Sequence, residues 1–376
     1  MKTAPGYALG LVCLLAASCA AATAAENAPA ATAPGAATAT ASPAVTPSPT
    51  APGNSADPSK AAAPTFDEVM KDPQRKVGFL RKRIAVDSGA ERIYQVWVPL
   101  GYTASPGRSP ASPVQSTAEK KWPVILFLHG LGESGRDGDK PLTQGLPKEI
   151  AKRQGKFDFI VVIPQVAGNF GLVRSADGGR LVAAGGWGGP DGDIAMEALA
   201  RTLREYSCDA DRVYLTGLSM GGYGTYTITL RHPKPFAAIV PICGGGDPAT
   251  GDAIGRLPIW IWHGDADRTV PVANSREIVT GLVKAKAIEM RYTELPGVGH
   301  NSWDNAYASD ELYKWLLAHK RSDLETATPV KPIISAPGWD KAPKTTEPEA
   351  SKTAEPDARK APEPGRPEAA PPKSNP

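Results

Sequence analysis

Cysteine is scarce in this chain, with four among 376 residues. Two of them, Cys13 and Cys19, fall in the apolar N-terminal stretch, so no disulfide framework can organise the rest. Cys208 and Cys243 remain, at opposite ends of neighbouring predicted strands. That places them roughly 15 Å or more apart, against a limit of about 7 Å between bridged Cα atoms, and predicts two buried free thiols. An excess of one charge is also missing: 42 Lys and Arg face 39 Asp and Glu, a net charge of +3. With no basic stripe interleaved with aromatics, this excludes a nucleic-acid partner. There is no P-loop, no dinucleotide fingerprint after an early strand, and no His/Cys/Asp cluster at metal spacing, so neither a cofactor nor a metal is expected. No apolar run reaches the ~20 residues that span a bilayer, and no internal repeat is visible.

What is present is unevenly distributed. Residues 1–25 carry Lys2, an apolar run over 7–17 and then small residues, with Ala22-Thr23-Ala24 as a cleavage site, the pattern of an export signal. Leu15-Ala16-Ala17-Ser18-Cys19 offers a second reading, a lipoprotein signal over 1–18 with a lipid anchor at Cys19, although Ala16 fits that pattern poorly. Either way the chain is expected to be an exported bacterial protein, whether periplasmic, secreted or membrane-anchored. Residues 26–64 are almost all Ala, Pro, Thr and Ser, which cannot bury a core and predict a disordered linker. Residues 321–376 mix Lys, Glu, Pro and Ala and predict a second disordered segment. One α/β domain is left, over 65–320.

Within that domain, residues 77–86 and 93–99 alternate apolar and polar positions like an antiparallel hairpin, with Asp87-Ser88-Gly89 as its turn. A Pro/Ser-rich surface loop over 103–121 comes next. Near-continuous apolar runs at 124–128, 159–163, 213–215, 237–240, 257–262 and 289–292 predict parallel strands covered on both faces. Helix-like spacing separates them. Ile194, Ala195, Ala198, Leu199, Thr202 and Leu203 share one face, and 274–286 and 302–319 are the later helices, the last with Leu312, Trp315 and Leu316 as its apolar stripe. The order is that of a doubly wound α/β sheet, whose sites gather at the carboxyl ends of the strands.

Chemistry concentrates at Gly217-Leu218-Ser219-Met220-Gly221, which comes after the apolar strand Arg212-Val213-Tyr214-Leu215-Thr216 and precedes a helix. Strand, G-x-S-x-G and helix in that order form a nucleophile elbow, with Gly on both flanks because side chains there would clash in the strained turn. A serine nucleophile needs an imidazole base. His129 and His263 each end a strand before a Gly and read as structural, His232 ends a helix, and His319 closes the last helix and reads as exposed. His300 lies in a loop after the final strand and completes the chain order Ser, acid, His. The acid is sought in His263-Gly264-Asp265-Ala266-Asp267-Arg268-Thr269-Val270-Pro271. Asp267, further into the loop and shortly before Val270-Pro271, is preferred; Asp265 is the alternative and is otherwise expected to bond the loop's own amides. The backbone amides of Met220 and Leu131 are expected to form the oxyanion hole, Gly130 and Gly132 letting the Leu131 loop turn. Residues 165–190 form a long Gly-rich stretch expected to be a mobile pocket wall carrying Trp187. Glu133 and Asn301 are expected to brace the site, and Tyr223 and Trp303 to line it.

The set His129-Gly130-Leu131-Gly132-Glu133-Ser134-Gly135, the phrase from Asp211 to Gly222, His263-Gly264-Asp265-Ala266-Asp267 and Gly299-His300-Asn301-Ser302-Trp303 resembles the esterase and predicted-peptidase branch of the α/β-hydrolases, relatives of dienelactone hydrolases and phospholipase/carboxylesterases. The resemblance covers about 122–317. It implies an α/β-hydrolase fold with Ser219 as nucleophile, Asp267 as acid, His300 as base and Leu131 with Met220 at the oxyanion. Cleavage of a small-molecule or polysaccharide-linked carboxylic ester through an acyl-enzyme is the expected activity. Peptide cleavage stands second, because peptidases of this superfamily commonly carry a propeller or large lid, and no such domain fits this sequence. A non-catalytic envelope-binding protein is the alternative from another class; the complete triad weighs against it.

Overall fold

The computed structural model describes residues 65–86, 90–103, 120–168, 170–174, 181–337 and 339. The expected signal and linker, the hairpin turn at 87–89, nearly all of the loop over 103–121 and the tail beyond 339 lie outside the described residues. By its internal contacts the chain divides after Ala61, and every described residue belongs to the second unit.

A short helix α1 (Phe66–Lys71) opens the described chain, its first turn closed by reciprocal Thr65 and Glu68 capping bonds. Strands β1 (Gly78–Ala85) and β2 (Glu91–Val98) pair antiparallel, as the alternation predicts. Beyond them lie β3 (Trp122–Leu128), α2 (Gly145–Lys152), β4 (Ile160–Pro164), β5 (Phe170–Arg174) and β6 (Leu181–Gly185). Next come α3 (Pro190–Glu205), β7 (Cys208–Leu218), α4 (Met220–Arg231), β8 (Ala238–Ile242), α5 (Gly251–Ile254) and β9 (Ile259–Gly264). The chain continues through α6 (Ala273–Lys284), β10 (Met290–Leu295), α7 (Trp303–Ala308), α8 (Asp310–Leu317) and β11 (Ile333–Ser335). Nine strands form one sheet in the order β1-β2-β4-β3-β7-β8-β9-β10-β11, parallel from β4 onward.

All seven residues of β3 are buried, and alternate ones face opposite cores. Val124, Leu126 and Leu128 join a cluster with Ala195, Leu199, Ile278 and Leu282, from α3 and α6. Ile125 and Phe127 join another with Leu146, Ile150, Leu312 and Trp315, from α2 and α8. The sheet is thus covered on both faces, which is why its central strands read as apolar runs rather than as alternations.

Three expectations are corrected. Residues 165–190 are not a bare loop: β5 and β6 pair into a separate two-stranded antiparallel sheet, with a 3-10 turn after it at Gly186–Gly188. The expected helix over 302–319 is two helices, because Ser309 adopts an extended conformation (φ −76°, ψ 115°) and leaves α8 to start afresh with Asp310 and Glu311 in its first turn. The chain also stays ordered past residue 320. A 3-10 turn spans Arg321–Glu325, and β11 adds a parallel edge strand to β10, with Ile334 and Trp339 packed on the core. Only three residues pair, too few to register as a strand pattern amid Pro and Lys. Of the two cysteines among the described residues, Cys243 is buried but Cys208 only half-buried. No helix of the described residues is long and apolar enough to cross a membrane.

Candidate active site

Ser219 stands in the sharp turn between β7 and α4 with φ 53° and ψ −116°, a backbone conformation that costs an L-residue ~1–3 kcal/mol. Its surroundings hold it there. A Cβ on Gly217 would lie 2.3 Å from the Gly221 carbonyl oxygen, and one on Gly221 would lie 2.0 Å from that of Leu128. The two flanking glycines are therefore required by backbone contact, as the motif predicts. The Ser219 amide donates to Ile242 O at 3.0 Å, which ties the turn to the end of β8.

Two loops at the carboxyl ends of β9 and β10 bring the other groups to the serine. His300 Nε2 lies 2.9 Å from Ser219 Oγ, and His300 Nδ1 lies 2.7 Å from Asp267 Oδ2. Asp267 Oδ1 accepts from the amides of Thr269 (2.8 Å) and Val270 (2.9 Å). Burial alone would raise this carboxyl, but hydrogen bonds from His263, His300 and those two amides outweigh it and hold the group well below the usual carboxylate range. The acid and base loops touch directly: Ala266 N donates to Val298 O at 3.1 Å, and a Cβ on Gly264 would stand 2.1 Å from that oxygen. Asp265 is exposed and does not bond its own loop. Its Oδ1 accepts from Gly297 N at 2.6 Å, so it ties the two loops together rather than serving its own.

Sequence reasoning passed over His263, which is buried within reach of the acid. Its Nε2 lies 2.9 Å from Val270 O and 3.3 Å from Asp267 Oδ2, and its Nδ1 lies 2.7 Å from Ser275 Oγ. Because a carbonyl only accepts, Nε2 carries a proton and points it at the carbonyl and the carboxylate together. The signal was the spacing of His263 four residues before Asp267, which sequence alone could not tell from an ordinary strand end.

The loop after β3 is built around His129. Its Nε2 accepts from Val166 N at 3.0 Å while its Nδ1 donates to Gly130 O at 2.6 Å. Burial pushes its pKa down to about 4, in keeping with this neutral tautomer. Leu131 opens the next 3-10 turn and Met220 opens α4, so by position neither amide has a partner within its helix. Both residues line a cleft of about 350 Å³ that also contains Ser219 and His300. Glu133, Tyr223 and Trp303 line it as well, with Trp303 edge-on to His300 at 5.3 Å between ring centroids. Glu133 Oε2 accepts from Gly130 N at 2.9 Å, which ties it to the loop, and Asn274 donates to the Tyr223 hydroxyl at 2.7 Å.

Two expected site residues stand elsewhere. Trp187 is fully buried and outside the cleft. Its Nε1 donates to His129 O at 3.0 Å, and its side chain packs where a Cβ on Gly224 would lie 2.5 Å from Trp187 Cβ. It supports the Leu131 loop from behind rather than walling a pocket. Asn301 is exposed, and its amide reaches only Asp304 at 3.4 Å. The one group of potential metal ligands among the described residues is Cys243, Asp267 and His300, whose donor atoms lie within 4.8 Å of one another. An ion there would have to break the Asp267–His300 contact and deprotonate a thiol that burial pushes up to about 12.

Comparison with known proteins gives a consistent picture. Residues 158–255 match the model of the prolyl oligopeptidase family. Poly(3-hydroxyalkanoate) depolymerase C of Paucimonas lemoignei is 34% identical over 114 residues, 22% of this chain and 28% of that protein. Carboxylesterase SOBER1 of Arabidopsis thaliana is 26% identical over 194 residues, 47% of this chain and 82% of that protein. The crystal structure of a thermostable esterase aligns at 29% identity with a TM-score of 0.49, covering 64% of this chain and 63% of that one. The chain thus spans less than a third of the depolymerase and under two thirds of the thermostable esterase. With a largely parallel sheet, an antiparallel N-terminal pair and a strained serine at the end of β7, this chain has the α/β-hydrolase fold and is similar in sequence to members of that superfamily that include a carboxylesterase.

Proposed function

We propose that this protein is a serine hydrolase that cleaves carboxylic esters through an acyl-enzyme, with Ser219, His300 and Asp267 as its triad. The carrying observation is the unbroken run of hydrogen bonds from Asp267 through His300 to Ser219 at the floor of an open cleft. A carboxylate accepts from Nδ1–H and so leaves the Nε2 lone pair facing the serine hydroxyl. Ser219 Oγ attacks the ester carbonyl while its proton passes to His300, and Asp267 stabilises the imidazolium that results. The tetrahedral oxyanion is held by the amides of Leu131 and Met220. Collapse expels the alcohol, which takes the proton back from His300. Water then enters, gives a proton to His300 and attacks the acyl-enzyme, releasing the acid and restoring the serine.

A small or polysaccharide-linked ester suits a cleft of this volume, and the carboxylesterase relative favours ester over peptide bonds. The match to the prolyl oligopeptidase family favours a second reading, peptide cleavage. A fluorophosphonate probe should label the wild type and not Ser219→Ala; an unlabelled wild type would sink both readings. Turnover of p-nitrophenyl acetate and butyrate should exceed that of aminoacyl-nitroanilides, and the reverse order would favour the peptidase. We further propose export through residues 1–25. N-terminal sequencing of the mature protein should give a start at Ala25 or Glu26, or a lipid-blocked Cys19, and a retained Met1 in exported cell fractions would contradict it.

A further inference from the structure

We propose that Glu133 makes the substrate cleft a charge filter, admitting neutral and cationic esters and rejecting those with a carboxylate on the group that fills it. The inference rests on the ester-hydrolase reading and deepens it. Glu133 lies beside the reacting serine. At the point where a Cβ on Gly130 would stand, Glu133 Oε2 is 3.1 Å away and Ser219 Cβ is 3.6 Å away. The carboxyl is half-buried in the cleft wall, where it accepts from the Gly130 amide at 2.9 Å and also from its own backbone amide. Among the described residues no ion pair engages it and no Lys or Arg lines the cleft. Arg136 and Arg268, its nearest cationic neighbours in sequence or on the acid loop, are exposed and outside the lining. Burial pushes the Glu133 carboxyl up, as expected where no cation compensates it. The second negative group near the serine, Asp267, is held ionised behind His300. Above the pH at which Glu133 ionises, a substrate carboxylate entering here meets a negative charge in a partly desolvated wall, where the Coulomb penalty is several times that in water. A substrate ammonium meets the same charge with the opposite sign.

The test compares p-nitrophenyl esters of hexanoic acid, of adipic acid as its monoester, and of 6-(trimethylammonio)hexanoic acid, at low ionic strength. Each kcat/KM is corrected for that ester's own rate with hydroxide. Wild type should favour the cationic over the neutral ester and the neutral over the anionic, the last step by about tenfold or more. Salt should shrink the ratios. Glu133→Gln keeps an acceptor oxygen for the Gly130 amide and should bring the anionic-to-neutral ratio to within about threefold of unity, whatever its overall rate. Gln144→Glu, which adds a second carboxylate to the same wall, should widen the ratio and gives an independent variant. Equal ratios in wild type and Glu133→Gln would overturn the filter while leaving ester hydrolysis intact. Absence of turnover on all three esters would overturn the filter together with the reading beneath it.

Discussion

Asp265 and Asp267 stand two residues apart in one loop, yet their surroundings give them different work. Asp267 is buried and faces two imidazoles, whereas Asp265 is exposed and bonds the Gly297 amide. Asp267→Asn should lower kcat on p-nitrophenyl butyrate by ~10⁴ through the wrong imidazole tautomer, while Asp265→Asn should cost less than about tenfold. If the two fell equally, the assignment of the acid would be wrong. Gly264 sets the approach of the loops. Gly264→Ala would drive a methyl into Val298 O and should cost ~1–3 kcal/mol of stability, with a larger proportional loss in kcat than in KM as His300 is displaced. Trp187 tests its own relocation from the pocket to the core. Trp187→Phe removes the bond to His129 O and should lower stability by ~1 kcal/mol, read from denaturant unfolding, with KM nearly unchanged.

The strands and helices matter to the site mainly through where they end. β3, β7, β9 and β10 are parallel neighbours or near neighbours, so the loops bearing Leu131, Ser219, Asp267 and His300 emerge on one side of the sheet. β11 plays a different part, covering the β10 edge behind the His300 loop. Val330 N donates to Ile288 O at 2.9 Å, and Trp339 meets Tyr292 edge-on at 5.8 Å between ring centroids. Ending the chain at residue 328 should therefore lower the melting temperature by several degrees, whereas ending it at residue 341 should not. Equal melting temperatures for the two would mean that β11 contributes nothing to the edge.

For the molecule as a whole, acid is the condition its paired carboxylates resist least. Glu289 accepts from Trp315 Nε1 at 2.6 Å and His319 Nε2 at 2.9 Å, which joins the start of β10 to the end of α8. The bond to His319 is the leading cause that draws its pKa down to about 2 from 4.5. Glu294, paired with Arg276, and Asp267 are lowered as well. A carboxyl whose folded value lies below its unfolded value adds stability that is complete above the unfolded value and is lost as pH falls. For Glu289 the loss should run from about 4.5 down to about 2. His319→Gln should move the midpoint of acid unfolding, read by circular dichroism, to higher pH. An unmoved midpoint would show that the pair does not carry this dependence. His319 is thus a half-buried strut and not the exposed helix end that its sequence position suggests.

Sequence alone determined the order of the six central strands and pointed to the candidate reacting groups. Buried parallel strands must be apolar throughout, and a strained serine turn must be flanked by glycine, so both leave marks at fixed short spacing. Six apolar runs became β3, β4, β7, β8, β9 and β10 for that reason, and Ser219, Asp267 and His300 meet within hydrogen-bond distance. The rest was decided by contacts between residues far apart in the chain. Trp187 looked like a pocket residue in a Gly-rich loop until the fold set it against His129, 58 positions away. His263 looked like a strand end until the loop turned Asp267 toward it, and β11 gained its strand conformation only from the β10 edge. Local pattern records what a segment must be, but partners brought together by folding leave no spacing to read, and only the tertiary structure assigns them.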